Sequence, residues 1–296
     1  MTETNSKNVR ETLKLIPSID SLLKKISLDS YNLPYSFIKN NIEEIVSIFK
    51  NDIINQKVSI DNIELQILNL IKSNLSKYSQ PLIKNVINGT GIVLHTGLGR
   101  APISLNILEK AINKIYPYCN LEIDLDSGKR GDRVGNLKKL FSSLIDAEDF
   151  LIVNNNASAV ILMLNTLCEK KEVVVSRGQL VEIGGSFRIP DIINKSNAKL
   201  CEVGTTNKTH IIDFEKSISK RTGAVLYVHT SNYQVVGFAN SININQLKKI
   251  TTNQQVPLLV DLGSGSLADY SKNNISPEKQ VNEYFKQGSD LICFSG

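Results

Sequence analysis

Histidine and cysteine are scarce in this 296-residue chain, and neither is spaced for metal chemistry. The three histidines, His95, His210 and His229, do not stand at metal-ligand intervals, which argues against zinc. Cys119, Cys168, Cys201 and Cys293 lie far apart with no C-x-x-C pair, the pattern of buried free thiols in a reducing compartment. Long apolar runs are missing too. A stretch such as 159–164 is far short of the roughly 20 residues that span a bilayer. Residues 1–10 are polar, without the apolar core of a secretory signal. Repeats and low-complexity linkers are also lacking. These absences point to a cytoplasmic protein with no membrane partner. Charge is mild as well: a net +5 tolerates a polyanion without demanding one.

What is present is ordinary globular composition, with 41% hydrophobic and 21% charged residues, enough for one large α/β domain and a small one. Residues 1–80 read as a helical domain. After Pro34, the residues Ile38, Ile42, Ile45, Val46 and Phe49 fall on one face. Ser59 opens a second run with Ile60, Ile63, Ile67, Ile71 and Leu75 at helical spacing. Ten Lys/Arg against nine Asp/Glu over 1–80 leave no basic nucleic-acid face visible there. The remainder, 81–296, alternates short β-branched runs (92–94, 150–153, 172–175, 200–203, 224–229, 258–260, 291–294) with helical stretches at 137–145, 157–167 and 244–250. Such alternation predicts a mostly parallel sheet flanked by helices, with ligands beyond the carboxyl ends of the strands.

Residues of chemical interest cluster at those ends. Asn154, Asn155, Asn156, Ala157 and Ser158 precede an apolar helix, where free N–H groups suit a phosphate. A plain asparagine or serine cap accounts for them equally. Asp261 ends an apolar strand ahead of Gly263-Ser264-Gly265, a place for a pyridinium partner, a metal ligand or a turn. Residues 89–100 are dense in glycine and close on Arg100, whose planar fork fits an oxyanion. The dinucleotide fingerprint is not matched there. Lys129, Arg130 and Arg133 form a basic cluster, either a solvated loop or a phosphate or RNA contact. His229 stands at a strand end beside Ser231 and Asn232.

Taken in order, these segments resemble the bacterial selenocysteine synthase family, L-seryl-tRNA(Sec) selenium transferases of pyridoxal-phosphate (PLP) fold type I. Ile16-Pro17-Ser18-Ile19-Asp20-Ser21-Leu22-Leu23 resembles the family's opening. Segments 87–104, 128–133, 153–164, 176–191, 202–207, 229–237 and 261–266 resemble its core motifs in order. Gly97 stands where the family has Asn, and Gly135-Asn136 where it has a His-containing stretch. The final Phe294-Ser295-Gly296 is followed in the family by Asp-Lys and a C-terminal domain. The resemblance therefore leads us to expect a chain truncated before the PLP-anchoring lysine and inactive as given.

The resemblance implies an aminotransferase-like large domain over 81–296 behind a tRNA-binding helical domain over 1–80. It implies a reaction of seryl-tRNA(Sec) with selenophosphate through a PLP-bound aminoacrylyl intermediate, in a homo-oligomer. Asn156, Ala157 and Ser158 would hold the cofactor phosphate. Asp261 would face the pyridine nitrogen, and Gln179 and His229 the ring or its 3′ oxygen. Arg100, Thr205 and Thr206 would meet the selenophosphate oxyanion. Two other readings remain open: a related PLP lyase or desulfurase acting on a small amino acid, and a non-catalytic tRNA-binding or co-assembling protein.

Overall fold

The computed structural model describes residues 9–55, 62–183, 187–230, 233, 235–270 and 279–295. Contacts divide the chain into two compact units, Met1–Leu98 and Gly99–Gly296.

The first unit is helical. Helix α1 (Ile19–Lys24) starts where the Ser18 hydroxyl accepts from Ser21 N–H, an N-cap that satisfies one of the orphan donors of the first turn. Helix α2 (Tyr35–Ile54) begins directly after Pro34. Its three- and four-residue spacing buries Ile38, Ile42, Ile45, Val46, Phe49 and Ile53 along one stripe. Helix α3 (Ile63–Ser79) turns Ile63, Ile67, Ile71 and Leu75 inward, and Leu22 and Leu23 help to close the same core. Ser59 and Ile60, expected to open this helix, lie outside the described residues. The expected strand at 92–94 does not form. Instead Asn88 Nδ2 donates to Ile92 O at 2.9 Å, and the Thr90 hydroxyl accepts from Ile92 N–H at 3.2 Å. These local side-chain bonds occupy backbone groups that a ladder would have needed.

The second unit is built on a five-stranded sheet. In chain order its elements are α4 (Leu105–Ile115), α5 (Gly135–Leu144), α6 (Asn156–Cys168), β1 (Glu172–Ser176), β2 (Glu182–Ile183), β3 (Phe187–Arg188), α7 (Ile189–Lys195), β4 (Lys199–Val203), α8 (Ile211–Ser217), β5 (Thr222–Val228), α9 (Ile244–Gln254), β6 (Leu258–Asp261), α10 (Val281–Lys286) and β7 (Leu291–Cys293). The sheet runs β4-β1-β5-β6-β7, and every neighbouring pair is parallel; β2 and β3 make a separate antiparallel pair. This is the α/β architecture that the alternation of strands and helices implies.

Strand alternation assigns the two faces. Val173, Val175, Ala224, Leu226, Val228, Leu259 and Cys293 pack with Val160, Met163 and Leu164 of α6 and with Ile189 and Ile193 of α7. Val174, Val203, Val225, Leu258 and Val260 pack against Phe214 of α8, Ile244, Leu247 and Ile250 of α9, and Val281 and Tyr284 of α10. A parallel sheet covered on both sides needs apolar residues on both faces of its central strands, and 173–175, 224–226 and 258–260 supply them, while the edge strand β4 keeps Lys199 and Glu202 exposed. From β1 the chain moves to β4 on one side; from β5 it moves to β6 on the other. The strand order thus reverses between β1 and β5, where open α/β sheets place their ligands.

The expected strand at 150–153 is not observed. Phe150 stacks on Phe141 of α5 with ring centroids 4.5 Å apart, while Leu151 and Ile152 are exposed. An apolar run becomes a strand only where a neighbour can take its backbone bonds, and among the described residues no strand pairs with these.

Leu226 lies in the middle of β5, the strand between β1 and β6, and is fully buried. Leu226→Ala should cost about 2–5 kcal/mol of stability, as large-to-small changes in packed cores do. Urea unfolding of the two proteins measures it, and a loss below ~1 kcal/mol would show that the surrounding side chains close the gap.

Candidate active site

Asp261 is the deepest ionisable group of the sheet, at 2% exposure. Residues alternate along β6, so Asp261 points to the same side as Leu259, the side covered by α6. There the first residue of α6 reaches it: Asn156 Nδ2 donates to Asp261 Oδ1 at 2.7 Å. Gly263 N–H donates to the same oxygen at 3.0 Å. Burial pushes the Asp261 carboxyl above the ordinary carboxylate range; the Asn156 and Gly263 hydrogen bonds and the nearby His229 pull the other way. Asn156 Oδ1 is itself buried and has no hydrogen-bond partner.

The amino end of α6 is otherwise open. Asn155 caps it by accepting from Ser158 N–H at 2.9 Å. The cap reading of this turn is therefore correct for Asn155. It leaves the backbone of Asn156 and Ala157 and the Ser158 side chain at the positive end of a 13-residue helix. Capping by Asn155 does not use these groups, so the cap leaves the phosphate reading open.

The loop after β1 meets the loop after β4. Ser176 and Thr209 share a buried hydroxyl hydrogen bond of 2.7 Å. Gly178 passes so close that a Cβ there would stand 2.7 Å from the Thr206 carbonyl oxygen, so only glycine fits. Its own carbonyl accepts from Tyr233 Oη at 2.7 Å. Gln179 is buried, and its Oε1 accepts from Val228 N–H at 3.4 Å, tying the β1 loop to the end of β5. His229 follows β5; its N–H donates to the Asp261 carbonyl at 2.8 Å, and its ring lies 6.5 Å from that of Tyr284. Gln179, His229, Asp261 and Asn156 therefore gather around the carboxyl ends of β1, β5 and β6. Ser231 and Asn232 lie outside the described residues.

Three other candidates sit differently. Thr205 is committed to a turn: its hydroxyl donates to Lys208 O at 2.9 Å and accepts from Lys208 N–H at 3.2 Å. Thr206 is exposed, with its backbone against Gly178. Arg100 is exposed and holds a left-handed backbone, φ 68°, directly after Gly99 at φ 95°. Among the described residues no carboxylate pairs with it, and no hydrogen bond joins it to Thr205, Thr206 or Asp261. The basic cluster resolves otherwise. Glu122 binds Arg130 Nη2 at 2.7 Å and Arg133 Nε at 2.7 Å, and the two guanidinium groups hold its carboxyl below the usual range. Two of the three cations are thereby engaged within the loop.

Thr209, Tyr233 and Cys293 were not singled out from sequence. Thr209 reaches Ser176 only because β1 and β4 are neighbours, a fact of register that spacing along the chain does not carry. Cys293 lies opposite Asp261 in the β6–β7 register.

Comparison with known proteins follows this geometry. Residues 86–296 match the model of the family described as L-seryl-tRNA selenium transferase. The chain belongs to this family. It is 43% identical over 291 residues to the L-seryl-tRNA(Sec) selenium transferase of Carboxydothermus hydrogenoformans, and 41% identical over 288 residues to that of Clostridium perfringens. Each match covers 97% of this chain and 62% of the relative, so the chain spans somewhat less than two thirds of their length. Among solved structures, D-glucosaminate-6-phosphate ammonia-lyase superposes with a TM-score of 0.53 at 18% identity, covering 68% of this chain and 51% of that one. That likeness is one of fold.

The raised Asp261 carboxyl has a consequence for stability. Because the folded chain binds this proton more tightly than the unfolded chain, stability falls as pH rises from the ordinary value of 3.8 through the raised one. Above the raised value the full penalty is in force. Asp261→Asn should therefore melt higher than wild type at pH 8, with the gain shrinking toward pH 4. Melting curves across that range test the sign, and a gain largest at acid pH would contradict the burial argument.

Proposed function

We propose that this chain forms the helical N-terminal part and the PLP-type large domain of an L-seryl-tRNA(Sec) selenium transferase, which converts seryl-tRNA(Sec) to selenocysteinyl-tRNA(Sec) with selenophosphate. One observation carries the reading: a buried strand-end carboxylate, Asp261, on the face where an open helix terminus begins. That pairing fits PLP. The carboxylate would hold the pyridine nitrogen protonated, and the end of α6, through Asn156, Ala157 and Ser158, would take the phosphate. The orphaned Asn156 oxygen marks the same place as one built for a ligand. When bound, PLP supplies an electron sink for loss of the serine α-proton and hydroxyl.

The chain's own residues supply the rest of the site. Gln179 and His229 flank the strand ends where the ring would lie. Arg100, with no carboxylate partner among the described residues, offers two parallel N–H donors to an oxyanion such as selenophosphate. Thr205 shapes its turn with Lys208, and Thr206 lies at the loop contact with Gly178. In the same reading, residues 1–80 bind the tRNA and the enzyme works as a cytoplasmic homo-oligomer. No described helix is long and apolar enough to cross a membrane.

The test is made in a chain of the relatives' full length that carries these residues. Asp261→Ala should lower turnover of seryl-tRNA(Sec) by roughly a hundredfold or more, the scale for removing one preorganised electrostatic partner. Near-normal turnover would reduce Asp261 to a strand end. Arg100→Lys should slow selenium addition by about tenfold, the worth of one charge-assisted hydrogen bond, while leaving loss of the serine hydroxyl nearly unchanged. Single-turnover assays with and without selenophosphate separate the two steps, and equal slowing of both would refute the oxyanion role.

A further inference from the structure

We propose that Asn156 acts through its side chain as the positioning residue of Asp261, fixing which carboxylate oxygen is free for the ring nitrogen and keeping the carboxylate from competing for the ring's proton. The proposal rests on the reading of Asp261 as the pyridinium partner and adds a role for Asn156 separate from the phosphate. Three features of the geometry lead to it.

First, both donors seen at Asp261, Asn156 Nδ2 at 2.7 Å and Gly263 N–H at 3.0 Å, converge on Oδ1. Among the described residues no hydrogen bond goes to Oδ2, so one oxygen is anchored and the other is left for a ligand. Second, the amide has a fixed orientation. Turning it over would bring Asn156 Oδ1 against a carboxylate oxygen, so the amide nitrogen faces Asp261 and Oδ1 stays buried without a partner. An amide kept in that state is committed to donating to Asp261. Third, the bond joins the first residue of α6 to the last residue of β6, 105 positions apart in sequence. The element that would hold a phosphate and the residue that would hold the ring nitrogen are thereby set at one spacing.

The chemistry follows. A carboxylate deprived of hydrogen-bond donors in an apolar site becomes a stronger base. Paired with a pyridinium, it would draw the proton onto itself and leave the ring neutral. A donor on Oδ1 weakens its basicity, and the proton stays on nitrogen. The groups facing this carboxylate are few. His229 comes from the end of β5, and Gly263 N–H from the turn after β6. The Cys293 thiol of β7 is pushed up to about 12 by burial and by Asp261 itself, and so remains neutral. Asn156 is the donor supplied by a side chain.

The experiment uses the chain as it stands, with ¹³C-labelled aspartate carboxyls titrated by NMR and the Asp261 signal assigned by its loss in Asp261→Asn. Asn156→Ala and the similarly sized Asn156→Leu should each move the Asp261 titration upward by about one to two units, the worth of one hydrogen bond to a charged group. The second readout is pyridoxine 5′-phosphate labelled with ¹⁵N in the ring, whose shift reports protonation of its nitrogen. Wild type should keep the bound ring protonated at neutral pH, and both Asn156 variants should lower that fraction. An unchanged Asp261 titration in both variants overturns the proposal, whether or not the probe binds. If Asp261→Asn leaves the ring nitrogen unaffected, the pyridinium reading fails instead. If Asp261→Asn changes the ring while neither Asn156 variant does, the role of Asn156 alone is wrong.

Discussion

Two-sided burial of the parallel sheet is the constraint from which the rest of the second unit follows. Each strand must offer apolar side chains to both faces, and each face must be roofed by helices, α6 and α7 on one side and α8, α9 and α10 on the other. Backbone polar groups within the strands are then paired along the ladders, and chemistry is pushed to the strand ends. A charged residue can be placed there at moderate cost, because loops and helix termini bring donors. Asp261 stands at that border, one residue beyond the fully apolar Leu258, Leu259 and Val260.

The loops beyond the sheet are organised by close approach. Gly178 against the Thr206 carbonyl, Ser176 against Thr209, and Gln179 against the end of β5 draw three loops together over the point where strand order reverses. None of these contacts is strong by itself, since a hydrogen bond nets only about 1 kcal/mol. Their effect is geometric. Gln179, in the turn after β1, and His229, directly after β5, are held in place by these contacts, as a preorganised site requires.

Much of this architecture was legible in the sequence, for identifiable reasons. Strands at 172–175, 200–203 and 258–260 are short β-branched or leucine-rich runs, and β1, β4 and β6 extend each by a residue. The helix expected over 157–167 is α6 with one residue added at either end, because its asparagine cap and apolar run point the same way. Legibility failed where local pattern and tertiary pairing part company. Residues 150–153 and 92–94 are β-branched or apolar but lack a strand partner, whereas α4 passed unnoticed although none of its residues is buried. At the site, Asp261 and the end of α6 could be read from position alone. The link between Asn156 and Asp261 could not, since it spans 105 residues and depends on the sheet face. The engagement of Arg130 and Arg133 by Glu122 is local, 8 and 11 residues apart, but it sits in an irregular loop where neither helical nor strand spacing pairs side chains.

Cysteine placement carries a chemical consequence of its own. Cys293 lies across the β6–β7 ladder from Asp261, with its sulfur 3.6 Å from that of Met163, and its thiol is pushed up to about 12. Burial likewise pushes Cys168, at the end of α6, up to about 11. A thiol with so high a value has almost no thiolate at neutral pH, and it is the thiolate that attacks electrophiles and exchanges with other chalcogens. The Cys293 thiol facing Asp261, and the Cys168 thiol at the far end of α6, are thus poor nucleophiles at neutral pH. Burial keeps the sulfur that faces Asp261 out of the nucleophilic and exchange chemistry open to an exposed cysteine such as Cys119.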